Sequence, residues 1–228
     1  MRSPLAALLL LAALPCAAPA APTASFTWKL ETLAGCSTAV SDQYAFDGTN
    51  VGIGVTGLTE PYVAYAFDID LVAQDGGPLP DAWRYDAAGC RTPANVSWKT
   101  HPSPGSPCGW LYAMDETPSP ATSVTYDGTR VTFSFALAPS APEEPVAANQ
   151  ALVAILSLLG GGECEGSADA VCFSLRSLRF QRPDGSWFEA DRPVPVITLN
   201  AASFDGPAGC AAVPALPATW GAMKVRYR

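Results

Sequence analysis

Residues 51–71 read VGIGVTGLTEPYVAYAFDIDL. Val51, Ile53 and Val55 alternate with Gly52, Gly54 and Thr56. After the turn-like GLTEP, Val63, Tyr65, Phe67, Ile69 and Leu71 alternate with Tyr62, Ala64, Ala66, Asp68 and Asp70. A period of two puts every second side chain on one face, so the stretch predicts two adjacent half-buried strands paired as a hairpin.

The pattern continues on both sides. Upstream, Phe26, Trp28 and Leu30 alternate with Thr27, Lys29 and Glu31, which predicts a first strand. Downstream, VTYDGTRVTFSFAL (Val124–Leu137) places two apolar runs around Asp127-Gly128, a strong hairpin signal. ALVAILSLL fits a short helix or a buried strand by periodicity; its place between two β signals favours a strand. Further strands are expected at Val171–Phe180 and Val194–Leu199. The whole predicts an all-β fold, a two-sheet antiparallel β-sandwich of about eight or nine strands, with a barrel as the alternative.

Residues 72–120 break the pattern. They hold eight prolines and three tryptophans. So long a connection inside a compact domain needs a staple or a function. Within it, PDAWRYDAAGC is expected to run extended and to pack Trp83 and Tyr85 inward. Asn95-Val96-Ser97 matches a glycosylation acceptor in a host that glycosylates such sites.

The first twenty residues, MRSPLAALLLLAALPCAAPA, place Arg2 before an apolar run and close on small residues. That is the layout of a secretory signal cleaved after Ala20. A lipoprotein reading on Cys16 is disfavoured by Pro15 before it. No later stretch is long enough to span a membrane as a helix. The domain boundaries follow as a signal at 1–20, a β-sandwich at 21–205, and a linker with a C-terminal tail at 206–228. The chain carries a net charge of −8, and lysine occurs only at Lys29, Lys99 and Lys224. Binding nucleic acid or an anionic membrane surface needs clustered cations, so neither is expected as a partner.

Six cysteines lie beyond the signal: Cys36, Cys90, Cys108, Cys164, Cys172 and Cys210. An even number in an exported chain implies a disulfide framework. Proximity in sequence pairs Cys90 with Cys108 and Cys164 with Cys172, leaving Cys36 for Cys210. No C-x-x-C is present and the one histidine is His101, so neither a zinc site nor any cofactor is expected.

Candidate chemistry is sparse. Asp68 and Asp70 share one face of a strand at a separation of roughly 6.5–7 Å, which overlaps the spacing of inverting glycosidase carboxylates. The plainer reading is a solvated strand face. Asp75 nearby does not complete a calcium loop. His101 lies in a Pro-rich loop with no serine or cysteine motif beside it. Trp83, Trp98, Trp110 and Tyr112 could form an aromatic platform for stacking on sugar rings, or a miniature core where regular strands are missing. Arg176, Arg179 and Arg182 suit either an anion or a solvated strand edge.

Three segments carry a resemblance: the V-G-I-G-V…Y-A-F-D-I-D-L pair with P-D-A-W-R-Y-D-A-A-G-C, then C-E-G-S-A-D-A-V-C-F-S-L, then T-W-G-A-M-K-V-R-Y-R at the end. In these the chain resembles uncharacterised exported proteins of environmental bacteria with a cohesin-like or immunoglobulin-like sandwich. The resemblance implies a secreted, non-enzymatic binding or adhesion module outside the cell or at its surface, with a protein or polysaccharide ligand. A secreted carbohydrate-active enzyme using Asp68 and Asp70 is the alternative, and a purely structural extracellular protein a third. The basic tail from Thr219 to Arg228 would serve sorting or anchoring.

Overall fold

The computed structural model describes residues 20–32, 35–39, 41–42, 49–100, 119–139, 142–143, 151–158, 164–193, 196–199 and 210. Two sheets face each other across one core. The first has five strands in the order β2 (Gly35–Ala39), β1 (Thr23–Thr32), β4 (Thr49–Thr56), β9 (Ala151–Leu158) and β6 (Val96–Lys99). The second has seven. Its order is β3 (Ser41–Asp42), β12 (Val196–Leu199), β10 (Val171–Gln181), β5 (Ala64–Ala73), β8 (Arg130–Leu137) and β7 (Ala121–Tyr126), with β11 (Trp187–Glu189) also on β10. Pairing is antiparallel except between β12 and β3.

The two-sheet all-β expectation holds, with twelve strands among the described residues instead of eight or nine. The surplus comes from pieces of two to five residues, too short to show a period. Of ALVAILSLL, Ala151–Leu158 form a strand, as expected.

The hairpin expected at 51–71 does not form. β4 lies in the five-stranded sheet between β1 and β9, whereas β5 lies in the other sheet between β10 and β8. Gly57, at φ +70, opens a crossing from one sheet to the other. Alternation reports which side chains face a core; it does not report which strand lies alongside. Nor is β4 half-buried, because Gly52 and Gly54 on its other face are buried too.

The hairpin at 124–137 does form. Asp127 N–H donates to the Arg130 carbonyl at 3.1 Å around Gly128, whose φ is +103. The Asp127 carboxylate accepts from the Thr129 and Arg130 amides, which fixes the turn.

The core is aromatic at its centre. Phe67 of β5 stacks on Phe135 of β8 at 4.8 Å, and Trp98 of β6 reaches over from the opposite sheet, 5.4 Å from Phe67 and 5.1 Å from Phe135. Burying each such side chain contributes roughly 1.5–3 kcal/mol, so this junction is a main bond between the sheets.

Two disulfides correct the expected pairing. Cys90 joins Cys164, not Cys108, and Cys172 joins Cys210, not Cys164. The expected Cys36–Cys210 pair is thereby excluded. The reason is spatial: the segment after β5 lies against the segment before β10. Ala82 N–H donates to the Glu165 carbonyl, and Trp83 Nε1 donates to the Gly166 carbonyl at 2.9 Å. Trp83 and Tyr85 do pack inward, Trp83 on a single 3-10 turn at Asp81–Trp83 and Tyr85 two residues beyond it, instead of on an extended piece. Cys108 and His101 lie outside the described residues, as do residues 1–19, so the signal expectation falls outside them as well.

Candidate functional site

Strand β5 turns Tyr65, Phe67, Ile69 and Leu71 into the core and Ala66, Asp68 and Asp70 to the outer face of the seven-stranded sheet. Cross-strand register sets the rows of that face. One row runs Ser177, Asp68, Ser134, Ser123 and the next Ser174, Asp70, Thr132, Thr125. A third runs Glu189, Arg179, Ala66, Ala136, Ala121. In these three rows the side chains on β5 and β8 are short, while Arg130 of β8 and Arg176 of β10 reach across the face at Asp70.

Asp70 sits at the charged centre of this face and is itself inaccessible, with 0% of its surface exposed. Thr132 Oγ1 donates to it at 2.8 Å, Arg130 Nη1 lies at 3.3 Å and Arg176 Nε at 3.4 Å. A local irregularity delivers the second arginine. The β10–β5 register passes from Leu175–Ile69 to Ser177–Asp68, which leaves Arg176 opposite no residue and turns its side chain toward Asp70. The Leu175 carbonyl beside this bulge accepts from Arg192. Burial lifts the Asp70 carboxyl above its ordinary value, against the pull of Thr132, Arg176 and Arg130.

Asp68 is half-buried and faces Ser177, whose hydroxyl is 3.5 Å from its carboxylate. The two carboxylates that sequence spacing placed together are thus unlike. One is enclosed in an ion cluster; the other is an ordinary surface acid. A glycosidase pair needs both groups open to a substrate.

The three arginines read as an anion site are dispersed. Arg176 serves Asp70. Arg182 forms a two-pronged ion pair with Glu60 and lies 4.4 Å from the centre of the Phe188 ring. The Arg182 bond holds the Glu60 carboxyl below its ordinary value. Arg179 lies over the Trp187 ring at 5.0 Å.

Of the expected aromatic platform, Trp83 and Trp98 are among the described residues, and both are engaged in the core. Trp83 is fully buried, its ring meeting Phe173 edge-on and lying beneath the Arg91 guanidinium, so no ring face is open to a sugar. Trp98 is half-buried and engaged with Phe67 and Phe135 in the core. Trp110 and Tyr112 lie outside the described residues. The aromatic that does reach the outer face is Trp187, opposite Gln181. Sequence reasoning passed over it, as it did Arg130 and Thr132. The Pro183-Asp184-Gly185 turn was the available signal, since it folds Trp187 back alongside β10.

Among the described residues, no three His, Cys, Asp or Glu side chains converge as a metal site would require. No helix there is long and apolar enough to cross a membrane.

No family model matches the sequence. No curated protein matches it. Among solved structures, the chain is similar to a cohesin module from a family 33 glycoside hydrolase of Clostridium perfringens ATCC13124. That match has a TM-score of 0.38 and 8% identity, covering 79% of this chain and 97% of the other. It is also similar to the second type II cohesin module of the cellulosomal adaptor scaffoldin ScaA of Acetivibrio cellulolyticus. Here the TM-score is 0.39 and the identity 10%, covering 80% of this chain and 98% of the other. Likenesses of this degree carry neither a partner nor an activity over to this chain.

Proposed function

We propose that the chain is an exported, non-catalytic β-sandwich module that acts in binding or adhesion at the cell surface or outside the cell. Its ligand is a protein, docked on the outer face of the seven-stranded sheet. The observation that carries this reading is the enclosure of Asp70 by Arg130, Arg176 and Thr132. It removes one member of the only carboxylate pair that sequence spacing offered for hydrolysis, and it leaves rows of short polar side chains around an enclosed ion cluster. A sheet face lined by short polar side chains suits a protein partner, whereas small ligands favour concave, mostly apolar sites. The disulfides fit an oxidising, extracellular compartment.

A polysaccharide ligand is the second reading, favoured by the half-exposed Trp187 ring at the margin of the same face.

The test is to immobilise residues 21–228 in oxidised form and offer them a glycan array and surface-protein extracts, with Ser134→Arg alongside. Ser134 lies in the middle row of the face, so a long cation there obstructs docking without touching the core. A protein retained by the wild type and lost from the variant supports the proposal. Glycan retention that Trp187→Ala abolishes supports the second reading. Turnover of a polysaccharide, abolished by Asp68→Asn, overturns the non-catalytic assignment.

A further inference from the structure

Strand β7, Ala121–Tyr126, forms one end of the seven-stranded sheet, and among the described residues no strand lies beyond it. Its sequence, ATSVTY, holds no charge, no proline and no glycine. Sheet edges are ordinarily protected by just such residues, because an edge presents a row of unpaired N–H and C=O groups. Four of its six residues, Thr122, Val124, Thr125 and Tyr126, have high strand propensity, and β7 has none of these protections. The edge of the five-stranded sheet at β6, by contrast, carries Lys99 within four residues.

The hairpin fixes which groups point outward. Asp127 N–H bonds the Arg130 carbonyl, so 127 and 130 form a hydrogen-bonded pair. Pairs along an antiparallel ladder alternate between bonded and non-bonded. Tyr126–Val131 is therefore non-bonded, Thr125–Thr132 bonded, and so on along the β7–β8 register. Ala121, Ser123 and Thr125 spend their backbone groups on β8. Thr122, Val124 and Tyr126 aim theirs away from the sheet.

We infer that this edge receives β7 of a second copy of the chain, antiparallel, about a two-fold axis through Val124. That register sets Val124 against Val124 of the copy and Thr122 against Tyr126. All three outward residues are then matched, with six backbone hydrogen bonds between the copies. Opposed residues in this register share a sheet face, as antiparallel pairing requires. Ser123 meets Thr125 on the outer face, and the Thr122–Tyr126 contact is a favourable β-branched–aromatic pair. The occupant is a second copy because the edge is self-complementary in hydrogen bonding and neutral in charge. In a chain of net charge −8, a charge-free strand lets two copies approach without opposing like charges. The interface is small, so association is reversible and concentration-dependent.

The test is sedimentation equilibrium of oxidised residues 21–228 over a wide concentration range, with two variants. Thr122→Pro deletes an outward N–H from each copy but none that serves β8, a position where an edge strand tolerates proline. Losing two interface hydrogen bonds weakens association by about tenfold or more. Thr122→Lys leaves the backbone intact and adds a cation to the edge of each copy. The expected result is a wild-type mass that rises toward twice the monomer's, with both variants shifted to monomer and unchanged far-UV circular dichroism. A wild type that stays monomeric at every concentration overturns the inference. So does a dimer that persists unchanged in Thr122→Lys.

Discussion

The hydroxyl of Tyr65, on the seven-stranded sheet, donates a 2.8 Å hydrogen bond across the core to the carbonyl of Val153, on the five-stranded sheet. Val153 is available because the β4–β9 register passes from Ile53–Ala154 to Gly54–Leu152 and leaves it without a partner. A bulge that would otherwise strand a buried carbonyl is satisfied from the opposite sheet, and Tyr65 is held there as the neutral phenol, its pKa pushed up by burial. Tyr65→Phe keeps the ring and deletes the bond, so it should lower stability by about 1–3 kcal/mol, read from urea unfolding midpoints.

Gly166 holds the docking of the Trp83 segment. Its φ is +78, its carbonyl accepts from Trp83 Nε1, and a Cβ there would sit 2.3 Å from Pro80 Cβ. Gly166→Ala is expected to cost at least about 1–2 kcal/mol from the left-handed backbone alone. A loss of near-UV dichroism from Trp83 should accompany it; Gly185→Ala, with open space around it, should leave that signal unchanged.

Non-reducing peptide mapping should recover Cys90 linked to Cys164 and Cys172 linked to Cys210. Cys36 and Cys108 are then the remaining pair beyond residue 20, and thiol titration of denatured, oxidised residues 21–228 should find no free sulfhydryl. Replacing Cys90 and Cys164 together by serine should lower stability by about 2–4 kcal/mol.

Asp70→Asn leaves Arg130 and Arg176 facing each other without their shared anion. The two arginine side chains are 13% and 28% exposed, so water screens part of the repulsion. Even so, burial disfavours the Asp70 charge by more than these partners favour it, so the neutral amide is expected to raise stability at neutral pH. Asp68→Asn should stay within about 0.5 kcal/mol of the wild type. Thermal unfolding of the pair, measured together, separates the enclosed acid from the surface one.

Acidification should reveal the same division. Glu60 and Asp86 are held below their ordinary values chiefly by Arg182 and Arg84, and Asp184 by Ser186. In Asp127 burial acts to raise the carboxyl, but bonds from Thr129 and Arg130 outweigh it and the value falls. The stability these four confer is present above the ordinary carboxylate range and is lost as pH falls through their lowered values. Asp70 acts oppositely. Its raised value makes the folded state bind a proton before the unfolded chain does, which offsets part of the loss between its ordinary and raised values. Asp70→Asn removes that offset, so its stability should fall more steeply with acid there than the wild type's.

The sandwich was legible because alternation survives wherever a strand is long and has one face in the core, as in β5, β8 and β10. The Asp127-Gly128 turn was legible because its chemistry is local. What escaped depends on neighbours far apart in the chain. No period in residues 51–71 shows that β4 and β5 belong to different sheets. No spacing reveals that Cys164 is nearer Cys90 than Cys172. The Asp70 cluster needs β8 on one side and a bulge in β10 on the other. Trp83 was weighed as a ligand platform because burial in a proline-rich segment depends on what folds over it, here Gly166 and Arg91.

The Cys90–Cys164 bond spans 74 residues and encloses β6, β7, β8 and β9. A protease that severs any single peptide bond between these cysteines therefore releases nothing: the two pieces remain one covalent molecule, with the sheet ladders still in register to hold them. In the extracellular setting proposed above, a nick becomes a scar and not a loss.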